Sequence, residues 1–332
     1  MDYRFKSNRK EFKNFGQYFD KSIAPHLHSL EGERKTRMIL GMIFAITLIP
    51  VGLYAAWYFG YAHQDSDGRA IHLAYLIPMA GYMIVMYKFR NHIKFFLAQK
   101  ISKFLGWQHS SKIHDKDFTL ALSRFGVVPK HTESLIDDIL SGHHEGWPFV
   151  LREVDLGVIK GSGKNRRRVS VFRGFVLSFD MKYGTSGTAA ITRHFYDELD
   201  RQISENQHEG IIDHKGTEIY VRASNKDIID TVMCARFQQA LFELSAEMPD
   251  MDISCAMFGN QLHIPIAAEN MFEVDWMFQT VKSNDRVQKL VDDFSYVLSL
   301  LDIILKRRHC IDTGRKKYPA YRDNSQPKRF EA

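Results

Sequence analysis

Residues 38–61, MILGMIFAITLIPVGLYAAWYFGY, run for 24 positions without a charged side chain. A helix needs about 20 predominantly apolar residues to cross the hydrocarbon core of a bilayer, so this run predicts a transmembrane span. A second run, AIHLAYLIPMAGYMIVMY over residues 70–87, is 18 residues long. It lies near the short end of what a span requires, about 17 residues. Pro50 and Pro78 would break a helix in water, but membrane helices tolerate proline where neighbouring groups satisfy the freed carbonyls. Only AHQDSDGR separates the two runs, so the expected arrangement is an antiparallel two-helix transmembrane hairpin over residues 38–87.

Flanking charge sets the expected orientation. Arg34, Lys35 and Arg37 precede the first run, and Lys88, Arg90, Lys94, Lys100 and Lys103 follow the second, whereas the connection holds one arginine against two aspartates. Both termini are therefore expected in the cytoplasm. The first apolar run begins too late for a cleaved signal peptide. Cys234, Cys255 and Cys310 all fall in the part assigned to the cytoplasm, with no metal-like spacing, and no disulfide is expected. The net charge of +6 is unevenly spread: residues 1–37, 88–103 and 306–332 are basic, while residues 104–305 are net acidic. This distribution points to the membrane and its anionic lipid surface as partners rather than to nucleic acid, for which no base-reading motif is present.

The expected organisation has five parts. Residues 1–37 form a cytoplasmic amphipathic segment, with Phe12, Phe15, Phe19, Ile23, Leu27 and Leu30 at helical spacing, lying on the membrane or packing on the body. The hairpin, with spans 38–61 and 70–87, comes next. Residues 88–109 form a basic juxtamembrane helix, either the second span continued or a helix in the interface. Residues 110–305 form the cytoplasmic domain, and residues 306–332 a basic, disordered tail.

Within the domain, DKDFTLALSRFGVVP predicts a short helix, and HTESLIDDILSGHHEG a second one capped by Thr132. WPFVLREVDLGVIK and RVSVFRGFVLSFDMK predict strands. GTEIYVRAS predicts a strand running into a helix opened by a Ser224 and Asp227 capping box. DISCAMF and QLHIPIA flank Gly259-Asn260 as a hairpin. Residues 285–305 carry an apolar seam that suits docking on the sheet better than dimerisation. The expected fold class is thus α+β: a two-helix transmembrane hairpin, then a cytoplasmic α+β domain with antiparallel strands and a long C-terminal helix.

The order of VFRGFVLSF, EIYVRASNKDIIDTVMCARFQQALFEL and MFGNQLHIPI before ENMFE, behind a membrane hairpin, resembles the bacterial membrane-protein family known as domain of unknown function 3137. The resemblance covers most of residues 100–305. It implies placement in the bacterial inner membrane and the α+β fold. It also suggests a LemA-type membrane protein as partner, and it supplies no catalytic residues.

Candidate chemistry is sparse. KGSGKNRRR at residues 160–168 lacks the glycine, the Ser/Thr and the following helix of a phosphate-binding Walker loop. It reads as a hairpin tip whose glycines supply positive φ. His143, His144 and Glu145 alternate across an extended chain and suit no single ion, and His194 with Glu198 lacks further ligands. Ser186 lacks a nucleophile elbow, and Cys234 and Cys255 sit in apolar surroundings where thiols are inert. His72 is the sole ionisable group of the two apolar runs besides tyrosines. No catalytic residue, cofactor or metal is expected. The tip side chains Lys160, Lys164, Arg166, Arg167 and Arg168 are the densest positive cluster of an acidic body and the expected contact with lipid or partner. The expected function is a binding or scaffold module for a partner protein or an anionic lipid headgroup, held at the inner membrane. The alternative is an enzyme acting on a membrane-associated substrate.

Overall fold

In the computed structural model, the described residues are 5–62, 69–111, 115–180, 187–192, 208–214, 217–232, 235–247, 254–268, 271–273 and 280–306. The chain divides into two compact units: Met1–His109 with Met271–Ser295, and Ser110–Asn270 with Tyr296–Ala332.

The first unit is helical, with α1 (Phe15–Ser22), α2 (Ala24–Ala62) and α3 (Arg69–Phe104) in sequence. The apolar residues of the N-terminal segment are buried: Phe12, Phe15, Phe19, Ile23, Leu27 and Leu30 form part of the core. Phe104 of α3 receives the first two, its ring 6.2 Å from that of Phe12 and 5.1 Å from that of Phe15. The expected juxtamembrane helix is the continuation of α3, with Phe89, Ile93, Leu97 and Ile101 buried on one face. Helices α2 and α3 run antiparallel, since His26 meets Phe96 and Arg37 lies over the Phe89 ring. Gly41 faces the ring of Tyr82 so closely that an added Cβ would enter it.

The expected pair of membrane spans is not found. Among the described residues no helix is long and apolar enough to cross a membrane. The uncharged runs are not separate elements. Each is part of a longer helix whose other half is charged and fastened within the unit by ion pairs. Glu31 and Arg34 of α2 are both buried and joined at 2.7 Å, and Glu31 also accepts from Val281 N at 2.8 Å. Arg90 and Lys94 of α3 both hold Glu273. The transmembrane hairpin, the inner-membrane placement with cytoplasmic termini, the integral membrane contact and the anionic leaflet as partner are overturned with it. The LemA-type membrane partner, which the family resemblance suggested, falls with the membrane partnership. Ile46, Val51, Tyr54 and Trp57 of α2 and Ile84 and Tyr87 of α3 are exposed.

The second unit is α+β. Among the described residues the strands are β1 (Gln108–Ser111), β2 (Glu133–His144), β3 (Trp147–Lys160), β4 (Arg167–Asp180), β5 (Ala189–Thr192), β6 (His208–His214), β7 (Thr217–Ala223), β8 (Ser254–Phe258) and β9 (Gln261–Ala267), of which β1 starts at the boundary between the units. They form one antiparallel sheet in the order β1-β2-β3-β4-β9-β8-β5-β7-β6. The β8 to β9 turn is the expected one, with Gly259 and Asn260 at φ 59° and 60°, the mirror-image turn that matches strand twist.

β2 replaces an expected helix. Leu135, Ile136, Ile139 and Leu140 imitate helical spacing because the pairing with β3 shifts between Ile136 and Ile139. A bulge of this kind breaks the two-residue period by one. Glu145 and Gly146, at φ 48° and 79°, then turn β2 into β3.

Helix α4 (Lys116–Arg124) is as expected, capped by Asp115, whose carboxylate accepts from Phe118 N at 3.1 Å. Its Leu122 packs with Val127, Val128, Val154, Leu156, Val176, Ala190 and Ala256 to form the apolar layer on one sheet face. After β7 come α5 (Lys226–Val232) and α6 (Ala235–Glu247). The cap of α5 differs from the expected box: Asn225 Oδ1 accepts from Ile228 N at 3.0 Å, while Ser224 Oγ accepts from Thr188 N at 2.9 Å. The last helix, α7 (Asn284–Lys306), buries its expected seam of Val287, Val291, Phe294, Leu298, Leu301 and Leu305.

Candidate functional site

The hairpin joining β3 to β4 is built from two strands of 14 residues each. Its tip turns on Gly161 and Gly163, at φ 86° and 56°, as the sequence predicts. A side chain at Gly161 would run into the carbonyl oxygen of Asn165.

Of the five predicted contact residues, Lys160, Lys164, Arg166 and Arg167 are exposed at this tip. Among the described residues none of the four has a carboxylate within ion-pair distance. Arg168 departs from the group. It folds back across Gly157, whose lack of a side chain leaves room for the guanidinium. There it grips Asp155: Nη2 donates to Oδ1 at 2.9 Å and Nη1 to Oδ2 at 3.2 Å. Arg173 and Ser170 add bonds to the same carboxylate at 2.9 and 2.7 Å. Burial works to raise the Asp155 pKa, but the hydrogen bonds from Arg168, Arg173 and Ser170 outweigh it and hold the group at about 2. Asp155 therefore stays charged, and Arg168 belongs to the base of the hairpin. Four cations, not five, are offered outward.

A second constellation was not singled out from the sequence. On the α4 face, Ser178 of β4 pairs in register with His263 of β9, and its Oγ lies 2.9 Å from His263 Nδ1. Arg152 of β3 points to the same face and donates from Nη1 to Ser178 Oγ at 3.3 Å. Its guanidinium lies 4.3 Å over the ring of Phe118. His263 is walled by Phe258, with ring centroids 4.1 Å apart, and by Phe118 at 5.4 Å. Burial lowers the His263 pKa to about 4, against the opposing hydrogen bond to the Phe258 backbone. The imidazole is thus neutral near pH 7. Ser178 Oγ shares one hydrogen bond with Nδ1 and accepts another from Arg152. Ser178 is 1% exposed, which makes it a support for Arg152 and not a nucleophile. The sequence signal was one arginine inside an apolar strand, VLREV, where a charge has to find a partner.

The other candidates fall apart. His143 and His144 point to opposite faces, as expected: His143 is exposed, whereas His144 is buried and meets Asp302 of α7 at 2.7 Å. Cys255 is buried, and burial pushes its thiol up. Ser186, His194, Glu198, Cys234 and Cys310 lie outside the described residues, as does the side chain of His72. Among the described residues no group of three or more His, Cys, Asp or Glu is placed to hold a metal ion.

No family model matches the chain, and no curated protein matches it. Among solved structures it is similar to the crystal structure of the mycobacterial trehalose monomycolate transport factor A, TtfA. The identity is 12%, over 64% of this chain and 96% of that one, with a TM-score of 0.33. A likeness this loose carries no argument about fold or function.

Proposed function

We propose that the sheet unit is a protein-interaction module whose β3 to β4 tip receives an acidic segment of a partner protein. The observation that supports this reading is the outward set of Lys160, Lys164, Arg166 and Arg167, exposed and without an ion pair among the described residues. Arg168 and Arg173, locked on Asp155, stiffen the base beneath them. A rigid cationic tip on an acidic body steers an acidic partner and rejects a basic one. Exposed charges contribute modestly one by one, about 0.2–1 kcal/mol each, so the contact works as a set.

The test uses the full chain and a fluorescent peptide of consecutive glutamates, titrated at several salt concentrations. Binding that weakens with salt is expected, and it should fall about tenfold or more when Lys160, Lys164, Arg166 and Arg167 are all replaced by serine. Equal affinity in that variant would overturn the reading. Binding of phosphatidylglycerol vesicles through the tip, without binding of the peptide, would also overturn it and make the partner a lipid.

A further inference from the structure

We propose that Arg152 anchors a small oxyanion site on the α4 face of the sheet, taking a carboxylate or phosphate group on its Nε and Nη2 edge. The site is separate from the hairpin tip and does not depend on it.

The geometry of the guanidinium carries the argument. Its Nη1 is committed to Ser178 Oγ, and its face to Phe118. The nitrogens that remain are Nε and Nη2. These two lie side by side, and their parallel N–H bonds match the two oxygens of a carboxylate or phosphate. Among the described residues no carboxylate forms an ion pair with Arg152. Asp115 acts on it through space, but that carboxylate is engaged in capping α4 through Phe118 N.

Among the described residues neither Nε nor Nη2 has a hydrogen bond, and neither atom is fully buried. The support behind it is fixed. Ser178 Oγ cannot turn away without abandoning His263 Nδ1, and the imidazole is clamped between Phe258 and Phe118. Burial lowers the pKa of Arg152 from its ordinary value, and Asp115 only partly opposes this. A half-buried cation with no carboxylate at ion-pair distance is under electrostatic cost that an arriving anion relieves. Pre-set orientation lowers the entropy lost on binding, which favours even a small ligand.

The experiment titrates the full chain with inorganic phosphate and, separately, with acetate, ionic strength being kept constant with sodium chloride. It follows arginine Nε resonances of the 15N-labelled protein. The resonance missing from the Arg152→Lys spectrum is expected to shift saturably with at least one anion, and the responding anion separates phosphate from carboxylate chemistry. Arg152→Gln and Arg152→Lys should bind that anion about tenfold more weakly, the lysine variant because it keeps charge but loses the paired edge. The fourfold tip variant should bind as the wild type does, which keeps failure of this site distinguishable from failure of the tip. An Arg152 resonance that ignores both anions would overturn the proposal. So would wild-type affinity in Arg152→Lys, the variant least exposed to misfolding.

Discussion

The ion pairs at Glu31 and Glu273 of the helical unit and the arginine on the α4 face of the sheet hold their cations in opposite ways. In the helical unit each of the fastening cations has a carboxylate: Arg34 has Glu31, and Arg90 and Lys94 share Glu273. On the α4 face Arg152 has a hydroxyl and an aromatic ring. The difference separates fastening from reception. A closed pair has spent its valence inside the fold, whereas an arginine held by neutral groups still presents charge. Arg34→Met should therefore give the largest loss. It strands Glu31, 5% exposed, and breaking a buried pair on one side costs about 3–5 kcal/mol. Urea denaturation of the full chain checks this, and a cost below about 1 kcal/mol would remove the contrast. The Glu31 pKa is held at about 2, chiefly by Arg34. Its contribution is complete above the ordinary carboxylate range and is lost as pH falls from about 4.5 towards 2.

A second difference between the units lies in two groups that burial discharges. His263 on the α4 face is lowered from 6.5 to about 4 by burial. Asp293 in the helical unit is raised from 3.8 to about 6 by burial, despite accepting from Phe272 N. The unfolded chain binds a proton at His263 more readily than the folded one, so its contribution is whole above pH 6.5 and is lost as pH falls towards 4. The folded chain keeps a proton on Asp293 longer, so that contribution is whole below pH 3.8 and is lost as pH rises towards 6. His263→Gln should remove up to about 3 kcal/mol of the stability lost between pH 6.5 and 4. Denaturation at a series of pH values reads this directly. An unchanged slope in the variant would mean that the imidazole is solvated, and the support beneath Arg152 would lose its neutral imidazole.

How far these regions were legible in the sequence depends on what each signal measures. Val, Phe and Leu alternation marked β3 and β4, and Gly259-Asn260 marked their neighbouring hairpin, because strand period and positive φ are local properties. The bulge in β2 defeated the same reasoning, since one inserted residue converts a strand pattern into helical spacing. The uncharged run at residues 38–61 measured apolarity and said nothing of where its helix begins. That helix starts at Ala24 and carries the buried Glu31 and Arg34 pair. At the tip, the sequence could count five cations but could not see that Arg168 folds back over Gly157 to Asp155, thirteen residues away, which pairs in register with Arg173. The Arg152 cluster stayed hidden for the same reason: Arg152, Ser178 and His263 meet only through strand register across β3, β4 and β9.

The smallest expected effect is the sharpest test of the contrast. Arg152→Met keeps length and an apolar stem against Phe118 and removes only the charge and the bond to Ser178. No carboxylate is left unpaired, because none forms an ion pair with Arg152 among the described residues, and Asp115 remains bound to Phe118 N. Ser178 keeps His263 as partner. A half-buried cation with no carboxylate at ion-pair distance gives the fold little, so replacing it by a well-packed apolar side chain should change stability by less than about 1 kcal/mol, in either direction. Set beside Arg34→Met under the same urea conditions, a comparable loss at both positions would show that Arg152 is a structural fastening like Arg34. A near-zero change at Arg152, joined to loss of anion response, is the signature of a residue kept for what it binds.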